Sequence, residues 1–239
     1  MKQRPHIVGI TKVRNEEVII QDTLDHFGQF CDAIYVYDDL SDDDTFKICN
    51  SHPKVARTIK GLRWDSNRLK AEFQTRQRVL EEAQISNPEW ILYFDADERI
   101  DWDFKEYNHY DAVIMKLFDF YITPEDVDLP YYERKWLGPE YRNILMMFRN
   151  ASVLRYEYLD QREIMLLPNA LRLNTGFVKH YGKAISIDEW EKTCDYYGKY
   201  YPDYSQKWID RKGKAVHTLS DFNRELIEWG EKSQKGVPL

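Results

Sequence analysis

Apolar and polar positions alternate along the first part of the chain in two different rhythms. His6-Ile7-Val8-Gly9-Ile10-Thr11 is a short apolar run with strand character, and Ile19, Ile20, Leu24 and Phe27 then recur at helical spacing. Gly28 stands where a helix would be capped. Ala33-Ile34-Tyr35-Val36-Tyr37 predicts a second strand, followed by a short helix to about Cys49, and Val55 to Ile59 predicts a third. Leu69 to Gln84 places Phe73, Val79, Leu80 and Ala83 on the inner side of a long charged helix, which Asn87-Pro88 ends. Trp90-Ile91-Leu92-Tyr93-Phe94 has no polar alternation, the mark of a strand covered on both faces. Strand, helix, strand, helix, strand predicts an α/β sheet with crossover helices. In such sheets ligands bind at the carboxyl ends of the strands.

The second half is less regular. Ala112 to Phe118 and Ile144 to Phe148 read as strands, joined by a Pro- and Tyr-rich connection from Tyr121 to Tyr141 that is long enough to bind something. Gly176 to Gly182 reads as a short strand ending at His180, and Ser186-Ile187-Asp188-Glu189 has capping-box spacing for a helix to about Tyr200. A last helix is expected over Asp221 to Trp229, closed by Gly230.

Composition narrows the classes. With 239 residues, 43% of them hydrophobic, the chain can bury a sizeable core. A net charge of −7 argues against a nucleic-acid binder with a broad basic face. The three cysteines, Cys31, Cys49 and Cys194, form no paired or zinc framework and suit a reducing compartment. No apolar run approaches the roughly 18–20 residues of a transmembrane segment, and the first residues lack a signal-peptide core. These features predict a cytoplasmic protein, at most peripheral at the inner membrane face.

Three predicted strand ends carry polar clusters: Lys12 to Glu17, Asp38 to Thr45, and Asp95-Ala96-Asp97-Glu98. Carboxylates at the end of a buried strand cost desolvation unless something positive meets them. A hard divalent cation such as Mn²⁺ or Mg²⁺ takes oxygen ligands and bridges carboxylates to phosphate. A strand running into an acidic surface turn has the same appearance, and either reading fits that stretch alone.

The order of the clusters resembles glycosyltransferase family 2. Lys12-Val13-Arg14-Asn15-Glu16-Glu17 is similar to that family's first-strand motif. Tyr37 to Thr45 resembles its second, with Leu40 and Asp44 in place of glycines, and Phe94-Asp95-Ala96-Asp97-Glu98 resembles the D-A-D-E form of its metal motif, common in bacterial lipopolysaccharide and capsule enzymes. The resemblance is good over 6–100 and weak to about 200. It implies a single GT-A domain over 1–239: a Rossmann-like, mostly parallel nucleotide-sugar half over 6–100, a mixed acceptor-side half over 101–185, and a helical segment over 186–239.

The same resemblance implies roles. Asp38 would meet the nucleobase, with Lys12, Arg14 and Arg76 as further nucleotide contacts, whereas Lys70 is better read as a solvated helix face. Asp95 and Asp97 would hold the metal on the diphosphate, completed by His180. The donor would be a UDP-sugar, with GDP or dTDP as alternatives, and the acceptor a glycan or glycolipid. Such enzymes invert the anomeric centre with a carboxylate base, for which Glu163 is the candidate and Asp160 the reserve; Arg162 replaces the histidine of related enzymes before Glu163. A sugar-phosphate nucleotidylyltransferase would need a Gly-rich loop after the first strand. A D-x-D phosphatase would place that motif near the N-terminus, with a small hydroxyl or β-branched residue where Arg99 stands. A catalytically silent nucleotide- or sugar-binding module keeps the same residues and is separated from an enzyme only by turnover.

Overall fold

The computed structural model describes residues 6–151, 155–156, 167, 169–230 and 237–238. The chain packs as two compact units, Met1–Met115 with Ile144–Gly176, and Lys116–Asn143 with Phe177–Leu239.

The first unit is an α/β sheet layered with helices. Its elements in chain order are β1 (Ile7–Val13), α1 (Ile20–Phe27), β2 (Ala33–Asp38), α2 (Thr45–Ser51), β3 (Val55–Lys60), α3 (Arg68–Gln84), β4 (Trp90–Tyr93) and β5 (Glu98–Asp101). Three further strands, β6 (Ala112–Asp119), β8 (Glu140–Arg149) and β9 (Arg172–His180), carry the chain from one unit into the other. The strand order is β3-β2-β1-β4-β8-β6-β9-β5. β1 pairs in parallel with β2 and β4, and β2 with β3, whereas β8 runs antiparallel to β4. Every residue of β4 is buried, as its unbroken apolar run requires. From α3, Val79, Leu80 and Ala83 pack with Val8, Ile10, Ile91 and Tyr93, and Phe73 lies against the same cluster. Phe27 of α1 stacks on Phe94 at 3.8 Å. Gly28 does close α1, though in right-handed geometry; a Cβ there would sit 2.7 Å from the Leu24 carbonyl oxygen.

In the second unit, β7 (Trp136–Leu137) pairs antiparallel with β10 (Ile227–Glu228), and β11 (Val237–Pro238) lies parallel to the start of β8. Two helices follow β9: α4 (Ile187–Tyr200), capped by Ser186 Oγ accepting from the Glu189 N–H at 3.1 Å, and α5 (Ser205–Arg211). Trp190, Cys194 and Ala215 form a small core with Trp208. The long connection before β8 is tied down internally. Buried Asp126 accepts from the Thr123 N–H at 2.9 Å and pairs with buried Arg134 at 3.5 Å.

The expected helix over Asp221 to Trp229 does not form. A tight turn with Asn223 at φ 57° leads into β10, and the Trp229 N–H donates to the Lys135 carbonyl at 2.8 Å. The apolar spacing there serves pairing with β7, a partner some ninety residues distant in the chain. Among the described residues no helix is long and apolar enough to cross a membrane.

Candidate functional site

The order β2-β1-β4 sets three strand ends side by side, and the first unit's chemistry collects there. Asp38, the last residue of β2, is fully buried. Its Oδ1 accepts from the Ser41 N–H at 3.1 Å, closing a turn, while its Oδ2 is buried with no hydrogen-bond partner among the described residues. The turn forces Leu40 to φ 62°, the left-handed region that favours glycine. One residue on, buried Asp39 is paired with buried Arg68 at the start of α3. Arg14 donates to the carbonyls of Asp39 and Leu40, both at 2.6 Å, so Asp39 is held at its backbone by Arg14 and at its side chain by Arg68. Both guanidiniums lie against the Trp64 ring, at 4.2 Å for Arg14 and 4.0 Å for Arg68.

A second chain of contacts joins β1 to β4 through α3. Lys12 pairs with Glu72 at 3.7 Å, Glu72 accepts from Arg76 at 3.4 Å, and Arg76 Nε donates to the Tyr93 hydroxyl at 2.9 Å. That hydroxyl in turn donates to Asp95 Oδ1 at 2.7 Å. Burial raises the Tyr93 pKa well above its ordinary value, so the phenol stays a donor to the carboxylate. Burial also lowers the Lys12 pKa, with Glu72 acting against it and Arg76 with it. Arg76 is 4% exposed and is turned to Glu72 and Tyr93, so it reaches the acidic loop through a tyrosine. Lys70 lies on the exposed face of α3, with its backbone N–H capped by Asn67.

The Asp95–Glu98 loop is held from several sides. Buried Glu98 turns its Oε2 to the Asp95 N–H at 3.0 Å, and the Ala96 carbonyl accepts from Thr23 Oγ1 and from Arg99 at 3.2 Å. Asp95 and Asp97 are partly exposed and flank buried Ala96. Two hard carboxylates on a braced loop suit a divalent cation such as Mg²⁺ or Mn²⁺ by donor type. Among the described residues, no three histidine, cysteine, aspartate or glutamate side chains are grouped to hold a metal. The protein's own share of such a site would thus be these carboxylates, with oxygens of a ligand and water supplying the rest.

His180 belongs to the second unit and ends β9. Its Nδ1 lies 2.5 Å from Asp119 Oδ1, whose other oxygen accepts from Lys183 at 2.6 Å. Lys183 also donates to Asp221 at 2.9 Å, and Arg211 pairs with the same Asp221 oxygen at 2.6 Å. Burial alone would raise the Asp119 pKa, but Lys183, His180 and Arg142 hold it well below the usual carboxylate range. Against the effect of burial, Asp119, Tyr121 and Asp221 raise the Lys183 pKa. Burial pushes the Tyr121 phenol up to about 12. Glu163 and Asp160 lie outside the described residues.

The structure therefore brings Lys12, Arg76 and Asp95 into one chain of contacts, sets Arg14 against the backbone that follows Asp38, and keeps Asp97 on the loop with Asp95. Sequence reasoning passed over Asp39, Trp64, Arg68, Glu72 and Tyr93. Arg68 follows directly on the N-cap Asn67, which was the available signal that α3 begins by facing the strand ends. Nothing in the sequence marks Asp119, Lys183 and Asp221, which meet across separations of 64 and 38 positions.

No protein-family model matches the chain. Two uncharacterized mycobacterial proteins, one from Mycobacterium bovis and one from Mycobacterium tuberculosis, are each 30% identical over 158 residues. The match covers 62% of this chain but only 35% of the length of those relatives. Among solved structures, a Desulfovibrio desulfuricans G20 protein, provisionally named a nucleotide-diphospho-sugar transferase, is 11% identical with a TM-score of 0.43, covering 86% of this chain and 94% of its own. Mannosyl-3-phosphoglycerate synthase from Rubrobacter xylanophilus is 20% identical with a TM-score of 0.32, covering 52% of this chain and 42% of its own. Glucosyl-3-phosphoglycerate synthase from Mycobacterium tuberculosis, in complex with Mn²⁺, UDP-glucose and phosphoglyceric acid, is 16% identical with a TM-score of 0.34, covering 53% and 48%. Likenesses at this level assign neither an activity nor a substrate to the chain.

Proposed function

We propose that the chain is a metal-dependent, inverting glycosyltransferase of GT-A type. It moves a sugar from a nucleoside diphosphate, UDP before GDP or dTDP, to a hydroxyl of a glycan or glycolipid. The observation that carries this is Asp38 Oδ2, a buried carboxylate oxygen without a donor among the described residues at the end of β2, with the cationic end of β1 next in the sheet and the acidic end of β4 beyond it. An interior acceptor left unpaired costs stability, and a nucleobase N–H is a donor of the right kind. Lys12, on the neighbouring strand β1, and Arg14, bonded to the carbonyls of Asp39 and Leu40, are positive groups suited to a diphosphate. Asp95 and Asp97 would hold Mn²⁺ or Mg²⁺. When bound, the cation withdraws charge from the departing nucleoside diphosphate.

The remaining steps fall to side chains. Arg76, turned to Tyr93, orients Asp95 through that phenol and leaves the diphosphate to the cations of β1. As the acceptor oxygen bonds to the anomeric carbon, a carboxylate removes its proton and the sugar–phosphate bond breaks toward phosphate. Glu163 is assigned that role, with Asp160 in reserve.

Thermal denaturation with UDP, GDP, CDP and dTDP, each with Mn²⁺ and with EDTA, tests the proposal. A ligand at about 100 times its dissociation constant stabilises by about 2.7 kcal/mol. One nucleotide should shift the transition only with metal present, Asp97→Ala should abolish the metal dependence, and Asp38→Asn should change which base is preferred. A folded, metal-supplied protein that responds to no nucleotide overturns the proposal.

A further inference from the structure

α1 turns Ile20, Thr23, Leu24 and Phe27 to the interior. Their spacing of three and four residues makes one helix face, and Thr23 is the polar member of that apolar stripe, fully buried. A hydroxyl in such a place costs desolvation unless it is bonded. Thr23 Oγ1 has two acceptors within reach: the Ile19 carbonyl at 3.0 Å, one turn back in its own helix, and the Ala96 carbonyl, 73 positions on. The hydroxyl has a single proton to give to the two.

The same helix holds the loop after β4 on either side of that point. Phe27 stacks on Phe94 at 3.8 Å, and His26 Nε2 accepts from the Ile100 N–H at 2.9 Å. Thr23 enters between them, at the residue that separates Asp95 from Asp97. Ala96 is 3% exposed, and its carbonyl shares one peptide plane with the Asp97 N–H. Whatever fixes that oxygen therefore fixes the peptide from which the Asp97 side chain departs. Arg99 donates to the same oxygen at 3.2 Å from within the loop's own continuation, whereas Thr23 ties it to a separate element.

We propose that Thr23 is a positioning residue that latches the metal loop: its hydroxyl holds the Ala96–Asp97 peptide in the orientation that sets the two carboxylates, and returns to the Ile19 carbonyl when the loop lets go. Threonine in a helix readily bonds the carbonyl four residues back, so release of the loop strands no buried donor. The latch thus has two bonded positions, and the loop is held without being locked. Its role at a metal rests on the proposed glycosyltransferase function, while the latch itself rests on α1 and the loop alone.

The test compares wild type with Thr23→Val, which keeps the shape and removes the donor, and Thr23→Ser, which keeps the donor. Amide exchange in metal-free protein, read by mass spectrometry over 94–100, should be at least fivefold faster in Thr23→Val, with β1 and β2 unchanged and Thr23→Ser close to wild type. Mn²⁺ affinity in the presence of UDP, read from the electron paramagnetic resonance of the free ion, should fall at least fivefold in Thr23→Val and recover in Thr23→Ser. Thr23→Ala, a better helix former, repeats both measurements where the valine variant does not fold. Wild-type exchange over 94–100 in a folded variant without the hydroxyl overturns the latch. Faster exchange with unchanged Mn²⁺ affinity overturns its role at the metal. A wild type that takes up no Mn²⁺ with UDP counts against the proposed function, and the exchange rates still decide for or against Thr23.

Discussion

Replacing Lys183 with methionine removes the ammonium that lies 2.6 Å from Asp119 and 2.9 Å from Asp221, while keeping a flexible side chain of similar length. Taking one partner from a buried ion pair costs about 3–5 kcal/mol, because the charge left behind is uncompensated. Here each carboxylate keeps a second partner, Arg211 at 2.6 Å from Asp221 and His180 at 2.5 Å from Asp119. Side-chain exposures of 12%, 13% and 20% for Lys183, Asp221 and Asp119 let water take up some of the rest. The expected loss at neutral pH is therefore about 2 kcal/mol.

Its pH dependence follows from the directions of the shifts. Asp119 titrates below its ordinary value when folded, so its stabilisation is full above about pH 4 and is lost as pH falls through the folded value. Lys183 titrates above its ordinary value, so its contribution is full below about pH 10.5 and is lost as pH rises through the folded value. The gap between wild type and variant should be flat from pH 6 to 9 and should close at both extremes. A chain of two units need not unfold in one step. Urea-dependent amide exchange of α4, read by mass spectrometry, therefore reports the second unit better than total fluorescence does. A loss below about 0.5 kcal/mol at pH 7, the range of an exposed pair, or a gap unchanged down to pH 2, refutes the reasoning.

Two further outcomes are expected. Tyr93→Phe removes the hydroxyl between Arg76 Nε and Asp95 Oδ1, which should cost about 1–3 kcal/mol in urea unfolding and weaken Mn²⁺-dependent nucleotide binding roughly tenfold or more; unchanged metal dependence would show that the phenol does not orient Asp95. Leu40→Gly relieves a left-handed backbone at φ 62°, worth about 1–2 kcal/mol against about 0.5–1 kcal/mol of added unfolded-chain entropy, so the melting temperature should hold or rise slightly; a clear fall would show that Leu40 packing outweighs its backbone strain.

Much of the first unit was legible because its signals are local. The apolar runs of β1, β2 and β4 and the spacing of Ile20, Leu24 and Phe27 state their own burial. The Leu40 turn is a subtler case: a glycine in the resembled motif and φ 62° here report the same backbone demand. β5 escaped notice because Glu98-Arg99-Ile100-Asp101 looks like surface until β9 pairs with it. α5 spans only Ser205–Arg211 and takes its support from Trp190 and Trp208 packing rather than from a periodic face of its own. The Asp221–Trp229 segment looked helical, and a distant strand decided otherwise. Within the site the same division holds. The acidic and cationic residues of each motif were visible, whereas Tyr93 read as one more core aromatic and Arg68 as one more charge on a helix.

The way the chain threads its two units also sets an order on its synthesis. The first unit lacks β8, the strand antiparallel to β4, until residues 144–149 have been made, and by then 116–143 of the second unit has already been laid down. That earlier piece must wait in turn for 177–239. Neither unit can close from one continuous stretch, and no single cut releases either whole. Closing such long intervals defers the rewarding contacts until late, so folding should be slow and governed by the far end of the chain, with the early sheet edge of β4 exposed to wrong partners in the meantime.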